Sequence, residues 1–97
     1  MYSENVTVVN ATGIHARPAS QFSKMAAGFQ SNVTVKKSDA EGDGVNAKSV
    51  LNLMTQGLTC GTEITIAADG ADEKEAVAAL VEFVKGGCGE SFSRSLI

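Results

Sequence analysis

The 97-residue sequence has few of the residues on which metal-binding and catalytic sites depend. It contains one histidine, two cysteines, one proline and no tryptophan. Neither Cys60 nor Cys88 has a second cysteine or a histidine nearby at the spacing of zinc ligands. We therefore expect no metal and no cofactor, and we interpret the two cysteines as reduced thiols without a catalytic role.

Long apolar runs and clusters of basic residues are also missing. No run approaches the roughly 20 residues that cross a bilayer, and no basic segment followed by a hydrophobic one opens the chain. Eight Lys and Arg against eleven Asp and Glu give a net charge of −3, whereas proteins that bind nucleic-acid phosphates display clustered positive charge. We expect a cytoplasmic protein that neither enters a membrane nor binds nucleic acid directly.

The content of 43% hydrophobic and 20% charged residues is that of an ordinary globular protein. A chain of this length is too short for two separate cores. We expect one domain over residues 1–90, followed by a loosely held tail over residues 91–97, where no periodicity is visible.

Four segments alternate apolar and polar residues, which is typical of strands with one buried face. Because the other face is wetted, the sheet is expected to be antiparallel, with helices covering the apolar face. The predicted strands lie at residues 6–8, 33–36, 45–47 and 64–66.

Three helices are predicted to cover the sheet. The first begins at Ala16 and accepts Pro18 in its first turn, where a missing N–H costs nothing, and it is expected to stop at Gly28. A short second helix follows Ser49 as N-cap, and a third begins near Asp72 and ends near Lys85. The expected buried stripes of the two long helices are Ala19, Phe22, Ala26 and Phe29, and Ala76, Leu80 and either Phe83 or Val84.

The short second helix predicts an exposed apolar patch. Its few residues bury only one or two side chains, so Leu53 is expected to point inward. Val50, Leu51 and Met54 cannot all do the same.

The single histidine, His15, falls where a loop turns into the first helix. Free amides in a first helical turn carry partial positive charge and bind anions such as phosphate. The same charge disfavours an imidazolium, so we expect a neutral ring with a lone pair available for attack. A histidine beside a helix is also commonly no more than a surface cap, but the residues around His15 favour the nucleophile.

Residues around His15 can meet the charge of a phosphoryl group attached to it. The amides of Ala16 and Arg17 and the Arg17 guanidinium would form charge-assisted hydrogen bonds, and the Thr12 hydroxyl would orient the ring or the phosphate. We count Thr12, Ala16 and Pro18 as phosphate-supporting residues. No adjacent carboxylate completes a hydrolytic triad and no P-loop is present, so we expect a carrier of phosphate rather than an autonomous enzyme.

Ser49 is the second candidate for chemistry. Its simplest role is that of an N-cap, which contributes about 1 kcal/mol relative to Ala. Phosphorylation at an N-cap is compatible with that role because the helix dipole favours negative charge there. The added charge would lie beside the apolar patch and repel an acidic partner.

The motifs at residues 13–19 (GIHARPA) and 46–51 (NAKSVL) resemble those of the histidine-containing phosphocarrier proteins, the HPr family. The likeness runs from about Val6 to Glu90 and includes residues 61–66 (GTEITI) and 69–73 (DGADE). It implies an open-faced β-sandwich of the α+β class in the order βαββαβα, with a four-stranded antiparallel sheet covered on one face by three helices.

The resemblance also implies a function and partners. Members carry phosphate in the bacterial sugar phosphotransferase system, accepting it from enzyme I on a histidine that matches His15, at Nδ1, and passing it to sugar-specific IIA proteins. It implies that Arg17 stabilises the phosphohistidine. The residues it implies for partner docking are Ser20, Lys24, Lys48, Val50, Leu51 and Met54.

In Gram-positive relatives the serine that matches Ser49 is phosphorylated by HPr kinase/phosphorylase, and that form acts with catabolite control protein A. The pattern around Ser49 fits, although Asn52 stands where many such relatives have Gly. Two alternatives remain: a regulatory relative working through Ser49 only, and a ferredoxin-like RNA-binding module. The absence of aromatic residues from the predicted strands speaks against the second alternative.

Overall fold

A computed structural model describes residues 2–9, 16–39, 44–54 and 58–86. The elements follow one another in the predicted order βαββαβα, which is thereby confirmed. They are β1 (Tyr2–Thr7), α1 (Ala16–Ala27), β2 (Asn32–Lys37), β3 (Val45–Asn46), α2 (Val50–Met54), β4 (Glu63–Asp69) and α3 (Glu73–Lys85).

The four strands form one antiparallel sheet in the order β1-β4-β2-β3. Strand β4 lies in the middle and pairs over its length with β1, where Val6 faces Ile64, and with β2, where Val35 faces Ile66. These pairings extend β2 and β4 beyond both ends of their segments of alternating residues, whereas β1 begins earlier, at Tyr2, and ends at Thr7, one residue before the predicted end. Strand β3 is shorter than predicted, because only residues 45 and 46 pair with β2.

The core lies between one face of the sheet and the helices. Its largest fully buried side chains include Phe22 from α1, Leu53 from α2, Ile64 and Ile66 from β4, and Leu80 from α3. In α3 the predicted stripe is confirmed at Ala76, Leu80 and Val84 and is widened by Val77 and Val81. Phe83 is only partly buried and packs its ring against Phe22, with 6.2 Å between ring centroids.

Helix α1 occupies the predicted range, and its stripe is buried at Ala19, Phe22 and Ala26. Gly28 follows the last helical residue, and its amide donates to the Met25 carbonyl oxygen at 3.0 Å. Phe29 lies beyond the helix and is partly buried against the core.

The turn between α1 and β2 is held by Asp72, at the start of α3. Its carboxylate accepts hydrogen bonds from the Gln30 amide at 2.8 Å, from the Ser31 amide at 2.9 Å and from the Ser31 hydroxyl. Asp72 occupies the N-cap position of α3 without a side-chain bond to its own helix. Gly70 lets the backbone before α3 lie close to Ser31, since a Cβ on Gly70 would lie 2.7 Å from the Ser31 Cα.

These hydrogen bonds make one contribution to stability depend on pH. Donation from Ser31 and Gln30 holds the pKa of the Asp72 carboxyl below its ordinary value. The stabilisation is therefore present above about pH 4, the ordinary range of a carboxyl, and is lost as the pH falls through the lowered pKa of the folded protein.

Asp72→Asn is accordingly expected to lower the thermal midpoint at pH 7 and to differ less from the wild type near pH 2. Thermal unfolding followed by circular dichroism at both pH values measures the difference. Glu82→Gln, an exposed change near the other end of α3, serves as control. An Asp72→Asn deficit that does not shrink in acid would contradict the assignment.

Candidate functional site

The first turn of α1 forms the base of the candidate site. Helix α1 begins at Ala16, directly after His15, and has no acidic residue in its first turn. The first amides of a helix lack intrahelical partners, and no carboxylate of this turn compensates the positive end of the dipole. Arg17 is exposed in this turn, while Pro18 is buried.

The exposed face of α1 continues the site away from its N-terminus. Ser20 and Lys24 are both exposed, and their spacing of four residues puts them on one side of the helix. Arg17, three residues before Ser20, lies on the same side. The chain thus presents two positive charges and a hydroxyl along the helix that follows His15.

Ser49 caps α2 as predicted. Its hydroxyl oxygen accepts a hydrogen bond from the Asn52 amide at 3.3 Å, and its carbonyl oxygen accepts the first helical bond from Leu53 at 3.1 Å. The preceding turn is closed by Asn46, whose side-chain oxygen accepts from the Lys48 amide at 3.0 Å. Ser49 is partly exposed, and a phosphate on its hydroxyl would lie at the positive end of α2.

The apolar patch predicted on α2 is present. Leu51 is 75% exposed and Met54 is 38% exposed, whereas Leu53 is fully buried. Val50 is partly buried against the core and contributes less to this surface. Helices α1 and α2 contact each other, so their exposed residues lie on neighbouring elements.

Lys48 differs from the other residues predicted to dock partners. Its side chain is part-buried, and its ammonium donates to the Phe29 carbonyl oxygen at 3.0 Å. This bond joins the start of α2 to the turn that follows α1.

Several of the predicted site residues cannot be placed in the structure. Thr12 and His15 lie outside the described residues, as do Cys88, residues 91–97 and the side chain of Ala16. Cys60 is a free, exposed thiol. Within the described ranges no group of three or more His, Cys, Asp or Glu could hold a metal ion, and none of the helices there is long and apolar enough to cross a bilayer.

Sequence reasoning missed two contacts that shape the site. It placed Asp72 only at the start of the third helix, whereas the carboxylate binds a turn about forty residues earlier in the chain. It named Lys48 only as a docking residue and did not predict the hydrogen bond from its ammonium to the Phe29 carbonyl oxygen. The turn closed by Asn46 could have been predicted, since asparagine commonly accepts from a backbone amide two residues on.

A family model agrees with this arrangement. Residues 2–86 match the PTS-HPr model, described as the PTS HPr component phosphorylation site. The chain is 45% identical to the phosphocarrier protein HPr of Haemophilus influenzae over 84 residues, which cover 87% of this chain and 95% of the relative.

Solved structures show the same fold. HPr-C-His of Thermoanaerobacter tengcongensis superimposes with a TM-score of 0.84 at 37% identity, covering 94% of this chain and 99% of that protein. Crh, the catabolite repression HPr of Bacillus subtilis, superimposes with a TM-score of 0.62 at 41% identity, covering 86% and 95%. The open-faced sandwich is therefore confirmed.

Proposed function

Because the chain belongs to the HPr family of phosphocarriers of the phosphotransferase system, we propose that it accepts a phosphoryl group on His15 from enzyme I and passes it to IIA proteins. The observation that carries the proposal is the first turn of α1, which begins directly after His15, contains no acidic residue and exposes Arg17. We further propose a cytoplasmic carrier, with residues 1–90 as its domain and 91–97 as a tail.

The chemistry requires little from the carrier beyond position and charge. The Nδ1 lone pair of His15 forms a bond to phosphorus as the bond between phosphorus and the donor group on enzyme I breaks, and the reverse exchange follows at a IIA protein. Such transfer depends on placing the groups in line and on stabilising the equatorial oxygens. Arg17 and the first amides of α1 supply that stabilisation, supported by Thr12, Ala16 and Pro18.

The test is incubation with enzyme I and phosphoenolpyruvate, followed by intact mass spectrometry before and after mild acid. One added phosphoryl group that acid removes supports a phosphohistidine. No added group in the presence of an active enzyme I would end the proposal.

Arg17→Ala is expected to slow transfer more than it weakens docking. Hydrogen bonds to charged groups contribute about 1.5–3 kcal/mol, so kcat with enzyme I should fall by roughly ten- to a hundredfold, while KM for this carrier changes little. Steady-state transfer rates at varied carrier concentration measure both. Arg17→Lys keeps the charge without the planar fork and should be intermediate; equal rates for Arg17→Ala and wild type would refute the role.

Docking is proposed to use the exposed faces of α1 and α2. Ser20 and Lys24 lie on the first, and Leu51 and Met54 lie on the second, with Val50 at its edge. An exposed apolar patch next to positive charge suits a partner whose surface is apolar at the centre and acidic at the rim.

A regulatory role through Ser49 is the second part of the proposal. Ser49 caps α2 beside the apolar patch, and the similarity to the catabolite repression HPr of Bacillus subtilis favours such a role. The enzyme would be HPr kinase/phosphorylase and the partner of the phosphorylated form catabolite control protein A. A carrier regulated through Ser49 without phosphate on histidine is the alternative, and the acid-labile label described above separates the two.

A further inference from the structure

We propose that Lys48 is a positioning residue, which fixes α2 to the end of α1 and so sets the spacing between the two helices that dock partners. The inference rests on the proposed function for its consequence in phosphotransfer. The contact itself can be tested without any phosphotransfer.

The Lys48 ammonium is hydrogen-bonded within the protein. It donates to the Phe29 carbonyl oxygen at 3.0 Å from a part-buried position. Phe29 lies just after α1, and its amide donates to the carbonyl oxygen of Ala26 in the last turn of that helix. The Phe29 carbonyl lies just beyond the last residue of α1, so a cation bound there is near the negative end of the helix dipole.

The same turn is also bound by Asp72, at the start of α3. Asp72 accepts from the amides of Gln30 and Ser31, the two residues that follow Phe29. A positive group from the start of α2 and a negative group from the start of α3 therefore bind three consecutive residues. The turn is the point at which all three helices are connected by polar bonds.

The Lys48 contact lies at the start of the segment that forms part of the docking surface. Lys48 begins the segment that carries Ser49, Leu51 and Met54, and its own backbone is held by the turn at Asn46. α2 is a helix of five residues with one fully buried side chain, Leu53. So short a helix is not stable alone, and its placement depends on Leu53, on Val50 packed against the core and on the Lys48 contact.

The experiment compares Lys48→Met with Lys48→Arg, and takes Lys24→Met as the matched variant of an exposed lysine on α1. Lys48→Met should raise KM for this carrier with enzyme I by about three- to tenfold, because one hydrogen bond is lost, with kcat within about twofold of wild type. Lys48→Arg should largely restore KM. Lys74→Met, on the exposed face of α3, is the inert control.

Two readouts distinguish positioning from direct contact with the partner. The Phe29 carbonyl carbon and the Gln30 amide should shift in the NMR spectrum of free Lys48→Met and not in that of Lys24→Met. The dependence of KM on salt should become weaker in Lys24→Met, which loses a docking charge, and stay unchanged in Lys48→Met.

Each opposite result overturns the proposal. Unchanged NMR shifts at residues 29 and 30 would show that the contact does not hold the turn. A weaker salt dependence in Lys48→Met would make Lys48 a docking residue, and an unchanged KM would remove its effect on docking. Failure of wild type to accept phosphate would refute the proposed function, while the NMR comparison would still decide the contact.

Discussion

His15→Ala is expected to abolish phosphorylation from phosphoenolpyruvate through enzyme I, the largest effect of any single change in this chain. No other histidine is present, so no other side chain offers a neutral imidazole nitrogen to the phosphoryl group. The residue precedes α1 and is no part of the helical stripe of Ala19, Phe22 and Ala26, which holds α1 to the core. The fold should therefore persist.

Intact mass spectrometry after incubation with enzyme I measures the loss, and circular dichroism checks the fold. Lys74→Ala, at an exposed position on α3, should be labelled as wild type is. Acid-labile labelling of His15→Ala at wild-type stoichiometry would refute His15 as the acceptor.

Ser49 variants are expected to separate the carrier function from its regulation. Ser49→Ala should abolish labelling by ATP and an HPr kinase while phosphorylation of His15 persists. The same change removes the hydrogen bond to the Asn52 amide and should cost about 1 kcal/mol of stability. Ser49→Asp keeps an acceptor at the N-cap, so stability should be equal or higher.

The charge of Ser49→Asp should also lower the rate of His15 phosphorylation. It lies beside Leu51 and Met54 and would repel an acidic partner that approaches this surface. These predictions are checked by measuring kinase labelling, transfer rates and thermal midpoints for both variants. If the kinase labels Ser49→Ala as strongly as wild type, or labels neither protein, Ser49 acts only as a helix cap.

The boundaries of α1 and the cap of α2 could be predicted because they depend on nearby residues. Pro18 suits a first helical turn and Gly28 follows the last one. Ser49 caps through the amide three residues on. The exposure of Leu51 and the burial of Leu53 follow from the helical period, which cannot put both on one face.

The lengths of the strands could not be predicted without knowing which strands pair with them. Strand β4 extends from Glu63 to Asp69 because β1 and β2 pair with it on both sides, and no local pattern shows where those partners end. The order β1-β4-β2-β3 depends in the same way on which strands meet.

By itself, the sequence determined the helices, their buried stripes, the cap at Ser49 and the placement of His15 before a helix, because each rests on residues within about four positions of one another. Only the tertiary structure decided what Lys48 and Asp72 bind. Their partners lie 19 and about 41 residues away along the chain, and any exposed carbonyl or amide would satisfy the same charges. Which one does so is settled only when the helices pack on the sheet.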